Sequence, residues 1–328
     1  ATTEGTVTIS LDGQKLTDTQ KGAYQDSVET LYNLGWTTLN QIISPDSEVN
    51  VDDLLNQLQT SVDELNVPGV HVGNMGGGLA VARGTNATVK SEATADVQNV
   101  VMQLNGGYNV ANLAGGMSLA FGGSETSEDT VVANSHVGEV NVNITGGDAV
   151  LVAGGGATYA TTYDDEPGYN SMVSAQSTVD KATINIANSD TVVDGIFGGG
   201  IAVDDTNAAQ TNATSVTNDV EINVHGGAVN VVEFGVMSRF FDDALSDTGA
   251  PATVGTYVTE TSGLVDAANV AIMGTGLASG GKALVSTDTT SINLYGGTVN
   301  GNVFGGGAAT LGGQSEVGKS DINVAGAT

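Results

Sequence analysis

Apolar and polar residues alternate with period two over most of this chain, and the alternating runs end in paired glycines. Val142-Asn143-Ile144-Thr145 leads into Gly146-Gly147, and a second apolar run follows, closing in Gly154-Gly155-Gly156. The same order recurs at Ile222-Asn223-Val224-His225-Gly226-Gly227 and at Ile292-Asn293-Leu294-Tyr295-Gly296-Gly297, the latter followed by Val303-Phe304-Gly305-Gly306-Gly307. Strand side chains point alternately to opposite faces. A recurring unit of two short strands and glycine turns therefore predicts a β-solenoid, in which each unit buries its apolar face by stacking on its neighbours.

The triplet turns begin at Gly76, Gly115, Gly154, Gly198, Gly235, Gly274 and Gly305, in steps of 39, 39, 44, 37, 39 and 31. The first turn residue (Gly106, Gly146, Asn188, Gly226, Gly296) precedes its triplet by 8 to 10. One corner is tight and the loops elsewhere absorb insertions. The stretch 256–278 is a degenerate repeat with a long loop before it.

In the first strand of each repeat a polar residue sits between two apolar ones: Ser10, Gln103, Asn143, Asn185, Asn223, Asn293 and Asn323. These form an expected outward column with amide hydrogen bonding from coil to coil. Met75, Ala114, Ala153, Phe197, Phe234, Met273 and Phe304 form a second column, whose face the pattern leaves open between stacked core and ligand groove.

Residues 1–13 read as the first strand of the solenoid, but its partner strand is delayed until Val72. Over 14–66 the period changes to 3.6, which predicts a two-helix insertion in the first coil. Val51, Leu54, Leu55, Leu58, Val62 and Leu65 share one face behind Asn50 as N-cap, and Tyr24, Val28, Leu31, Tyr32, Leu39, Ile42 and Ile43 make a looser stripe. This insertion, with the single Trp36, is either a cap over the sticky first strand edge or a docking surface. The solenoid proper spans 67–328. It ends in another first strand, Ile322-Asn323-Val324, whose edge needs further chain or a second molecule to cover it.

Composition narrows the function. The 37 acidic residues face only 8 basic ones, a net charge of -29 that excludes a nucleic-acid footprint and disfavours anionic membranes. There is no cysteine, hence no disulfide or thiol chemistry, and no apolar run long enough to span a membrane. The chain opens on Ala1-Thr2-Thr3 with no leader pattern, as a mature exported N-terminus would.

Little here points to catalysis. The glycine triplets lack the Gly-Lys-Ser/Thr of a phosphate loop, and His71, His136 and His225 have no ligand spacing. Asp164, Asp165 and Glu166, Asp204 and Asp205, and Asp242 and Asp243 recur 6 to 10 residues after triplet turns. Stacked coil on coil they would line one edge, either as solvated loops or as oxygen ligands for calcium. No other cofactor is expected. Paired carboxylates also serve glycosidases, but the chain has two arginines and few aromatics to hold a sugar, which makes a polysaccharide enzyme the third reading.

The Gly296–Ala308 stretch and its weaker copies resemble the parallel β-helix passenger regions of bacterial autotransporter-type surface proteins and adhesins. That resemblance implies a right-handed parallel β-helix of about seven coils, exported to the bacterial cell surface. With the end strands it gives a non-enzymatic expectation: a structural subunit whose copies join head to tail into a filament, Trp36, Leu39 and Ile42 at one end meeting Ile322 and Val324 at the other. The alternative is an adhesin passenger that binds glycan or protein.

Overall fold

The computed structural model describes residues 2–11, 72–83, 90–106, 110–121, 130–161, 172–204, 211–232 and 269–328. Among these the protein is all-β, and every strand pairing is parallel. The predicted helical insertion, residues 14–66, lies outside the described residues. What the structure shows is the delay between strands: Leu104 is followed by the second strand at Val110, whereas the equivalent Leu11 is followed by it only at Val72.

The chain passes repeatedly through three sets of strands. The first set is long: Thr2–Leu11, Lys90–Asn105, Thr130–Ala153, Met172–Ile186, Thr211–Val224, Ala283–Leu294 and Gln314–Val324, paired in that order. The second set is short, and joins the first in one 15-stranded sheet because Thr130–Ala153 runs through both. The third forms a separate six-stranded sheet from Leu79–Arg83, Met117–Phe121, Gly156–Thr161, Gly200–Asp204, Gly276–Ser279 and Ala308–Thr310. This curled parallel arrangement is consistent with a β-solenoid.

The long strands carry a corner that the alternation records. Buried positions run Val131, Ala133, Ser135, Val137 and then Val140, Val142, Ile144, so Gly138 and Glu139 are two successive unburied residues. The same phase slip falls at Asp180–Lys181, Asn218–Asp219 and Asp288–Thr289. Before the corner, Ala133, Ala175, Ala213 and Ala283 pack with Ala82, Ala120, Ala160, Ala202 and Ala278 of the third set. Beyond it, Val142, Ile184, Ile222 and Ile292 pack with Leu113, Val152, Ile196 and Ile272 of the second. The cross-section thus has a narrow alanine side and a wide branched-aliphatic side.

Glycine triplets join the second and third sets and keep the ladder intact through the turn: Gly155 N–H donates to Gly198 O at 2.9 Å and Gly115 N–H to Gly155 O at 2.7 Å. Hydroxyls of the first set reach the carbonyls the triplets bring inside, with Ser215 Oγ to Gly156 O at 2.9 Å and Thr217 Oγ1 to Gly199 O at 2.6 Å. Buried polar groups need such partners. At the earlier turn, Gly227 and Gly297 take left-handed φ values of 80° and 79°, which an L side chain adopts only at a cost. Asn188, a turn residue of the fourth pass, has φ 77°, a conformation asparagine tolerates.

One sequence reading is corrected. Gly235 and Gly274 do not open separate repeats: Phe197 pairs directly with Met273, and Met273 with Phe304. Residues 233–268 therefore interrupt a single pass, between Val232 and Asn269. The 76 residues from Gly198 to Gly274, less those 36, leave 40, the ordinary step.

Candidate functional site

The outward polar column is in register along the whole stack: Ser10 opposes Gln103, then Asn143, Asn185, Asn223, Asn293 and Asn323 in turn. Three successive amides reach the one before, Asn185 Nδ2 donating to Asn143 Oδ1 at 2.8 Å, Asn223 to Asn185 at 3.0 Å and Asn293 to Asn223 at 3.0 Å. A shorter ladder runs Asn300 to Asn230 at 2.8 Å and Asn230 to Asp194 at 2.9 Å. Because Asn185 both donates and accepts, Asn185→Ala leaves Asn143 Oδ1 without this donor and Asn223 Nδ2 with Glu221 Oε1 in place of two acceptors. An expected loss of about 2 kcal/mol in urea unfolding should contrast with Asn323→Ala, under about 0.5 kcal/mol, at an exposed end position.

Two residues beyond the amides on the same outer face, the rings of His225 and Tyr295 stack at a centroid distance of 5.0 Å and an interplanar angle of 23°. Both are exposed.

The second predicted column is a buried stack, not an open groove, with Phe197 and Met273 fully enclosed and only Phe304 at the end of the stack half exposed. It alternates with Ile196 and Ile272, which belong to the central core, and so lies on the other face of its strands. Met75 is one place out of line: it opposes Leu113, and Gly76 opposes Ala114. Phe234 lies outside the described residues.

Of the acidic positions, Asp164, Asp165, Glu166, Asp205, Asp242 and Asp243 lie outside the described residues. Asp204 ends a third-set strand, is 4 % exposed, and accepts the backbone N–H of Lys282 at 2.8 Å, holding the turn of the next pass. Among the described residues no group of three or more His, Asp or Glu is gathered for a metal, and no helix is long and apolar enough to cross a membrane.

His136 has a role its sequence spacing did not reveal. Parallel register places Asp96 on one side and Asp180 near the other, with Nδ1 3.0 Å from Asp96 and Nε2 3.3 Å from Asp180. Hydrogen bonding to Asp96 raises its pKa above the usual 6.5, with Asp180 adding to the rise and desolvation opposing it. The stabilisation is therefore full below about pH 6.5 and fades as pH climbs through the raised value. With the imidazole half exposed, the effect should stay under about 1 kcal/mol. Thermal melts from pH 6 to 9 should show this decline, and His136→Gln should flatten it.

The assembly residues divide. Trp36, Leu39 and Ile42 lie outside the described residues. Ile322 and Val324 sit in the last strand, which among the described residues pairs on one side only, with Ala283–Leu294. They occupy the inward columns of Ile292 and Leu294 but are 46 % and 64 % exposed, whereas Leu11, the equivalent of Val324 at the other end, is 9 % exposed. The two ends of the described stack thus differ in how far their inward columns are exposed.

Compared with protein-family models, curated proteins and solved structures, the chain matches none.

Proposed function

We propose that the chain is a right-handed β-solenoid of about seven coils, one for each first-set strand, and a non-catalytic subunit of an extracellular filament on a bacterial surface. The observation that carries this reading is the asymmetry of the ends, with Ile322 and Val324 exposed where Leu11 is buried. An edge strand with free N–H and C=O groups and an apolar flank is a template for another strand. Unlike ends that fit each other make a heterologous contact that does not close, and such contacts build fibres. The helical segment 14–66 acts in this reading as a cap or dock at the first coil, and calcium as a bridge between acidic loops. Negative-stain electron microscopy tests it: long uniform fibres are expected, shortened by a chelator if calcium bridges, while single short rods with and without calcium would overturn the filament.

A second reading, the passenger of a glycan- or protein-binding adhesin, draws on the exposed His225–Tyr295 stack beside the amide ladder. Ring faces and amides suit a sugar's C–H face and hydroxyls. Glycan-array binding by single rods, lost in Tyr295→Ala, would favour it.

A further inference from the structure

We propose that residues 233–268 dock across the outer wall of the stack, on the apolar face that the second and third sets turn away from the core. This goes beyond the filament and adhesin readings and depends on neither. In the third set the inward positions are Ala120, Ala160, Ala202 and Ala278. Their strand neighbours Leu119, Tyr159, Ile201 and Leu277 therefore point outward. Phe197 and Met273 of the second set continue this face, opposite the inward Ile196 and Ile272. The wall faces out of the stack and is nonetheless enclosed. Along the column Leu79, Met117, Ala157, Ile201 and Leu277, exposure falls from 59 % at Leu79 to 5 % at Ile201 and 1 % at Leu277. Tyr159, Phe197 and Met273 are as deeply buried. Every described strand belongs to one of the three sets, and none forms a layer over this wall. The cover therefore comes from the remainder of the chain.

The place of deepest burial identifies the segment. Leu79 belongs to the pass that residues 12–71 interrupt, yet it is the most exposed of its column, which sets that interruption aside. Met273 and Leu277 belong to the pass that residues 233–268 interrupt, and Phe197 and Ile201 to the pass before it. Both ends of this interruption are fixed beside the wall: Val232 N–H donates to Val270 O at 2.8 Å, and Val270 lies on the strand that carries Met273. The stretches that follow third-set strands, 84–89, 122–129, 162–171 and 205–210, are short and mostly polar. Residues 233–268 instead hold three of the chain's six phenylalanines, Phe234, Phe240 and Phe241. Met237, Phe240, Phe241, Ala244 and Leu245 recur at helical spacing, an apolar stripe with Arg239, Asp242, Asp243 and Asp247 on the other positions. Such a stripe matches an apolar wall and leaves its charges in water.

Photo-cross-linking of the full chain in dilute solution tests this. Tyr159→p-benzoylphenylalanine puts a reactive ring on the wall where an aromatic ring already sits, and Tyr295→p-benzoylphenylalanine, on the exposed outer face of the first set, is the control. After irradiation and proteolysis, mass spectrometry should place the cross-link from position 159 within residues 233–268, in at least tenfold excess over any other segment. The cross-link from position 295 should not fall there. A cross-link from position 159 to residues 12–71, to 162–171 or to a second copy would overturn the assignment, and so would the absence of any cross-link. A second variant avoids the larger side chain. Phe240→Asp combined with Phe241→Asp should keep the β circular dichroism of the stack and raise the nitration rate of Tyr159 at least tenfold. Tyr159 that stays unreactive in this folded variant would equally overturn the proposal.

Discussion

Gly155→Ala should unfold the middle of the stack, at a cost of about 4 kcal/mol or more, whereas Gly306→Ala in the corresponding turn near the exposed end should change stability by less than about 0.5 kcal/mol. A Cβ on Gly155 would run into the carbonyl of Gly199 and the hydroxyl of Thr217. The first is backbone, held by its own place in the ladder, and Thr217 Oγ1 is already bound to that same carbonyl. Relief would require two passes to part. A Cβ on Gly306 would meet only Val317 Cγ1 at 3.6 Å, an ordinary contact. Thermal melts by circular dichroism measure both. A loss of about 4 kcal/mol should lower the midpoint by about 6 °C at this chain length. Equal melting of the two variants would show that the triplets serve chain turning alone and not the close approach of passes.

The triplets illustrate which parts of the fold a sequence exposes. The first-set column was legible residue by residue because an amide between two branched apolar residues is a sharp signal, repeated at Asn143, Asn185, Asn223 and Asn293. The second column was read one place off at Met75, since the first repeat carries a third glycine and its strand ends on Gly76. The third set of strands was not seen at all. Its inward positions are small (Ala80, Ala82, Ala120, Ala160, Ala202, Ala278) because the narrow side admits nothing larger. Its other face holds Leu119, Tyr159, Ile201 and Leu277, so hydropathy does not alternate there. The corner at Gly138 was recorded as a phase slip, a signal that period counting averages away. In the candidate site, the place of Ile322 and Val324 in an exposed end strand was legible from the pattern, their part in assembly being a proposal, while the bridging of Asp96 and Asp180 by His136 requires strand register, which no local spacing contains.

Ile222→Ala and Ile322→Ala change the same column and should behave as opposites. Ile222 is fully buried between Ile184 and Ile292, so its truncation leaves a cavity that neighbours on two sides cannot fill. A loss of about 3 to 4 kcal/mol is expected, with a fall in melting temperature of about 5 °C. Ile322 lacks a neighbour on one side and is 46 % exposed, so the isolated protein should lose about 1 kcal/mol or less. Assembly reverses the order of importance. If a second copy covers Ile322 in the filament, the apolar area that truncation removes is area buried only in the fibre. The critical concentration should then rise about tenfold, the equivalent of 1.4 kcal/mol at the contact. Urea unfolding of dispersed protein and sedimentation of assembled protein separate the two quantities. An Ile322→Ala variant that assembles at the wild-type concentration would mean that the exposed core edge is not where copies meet.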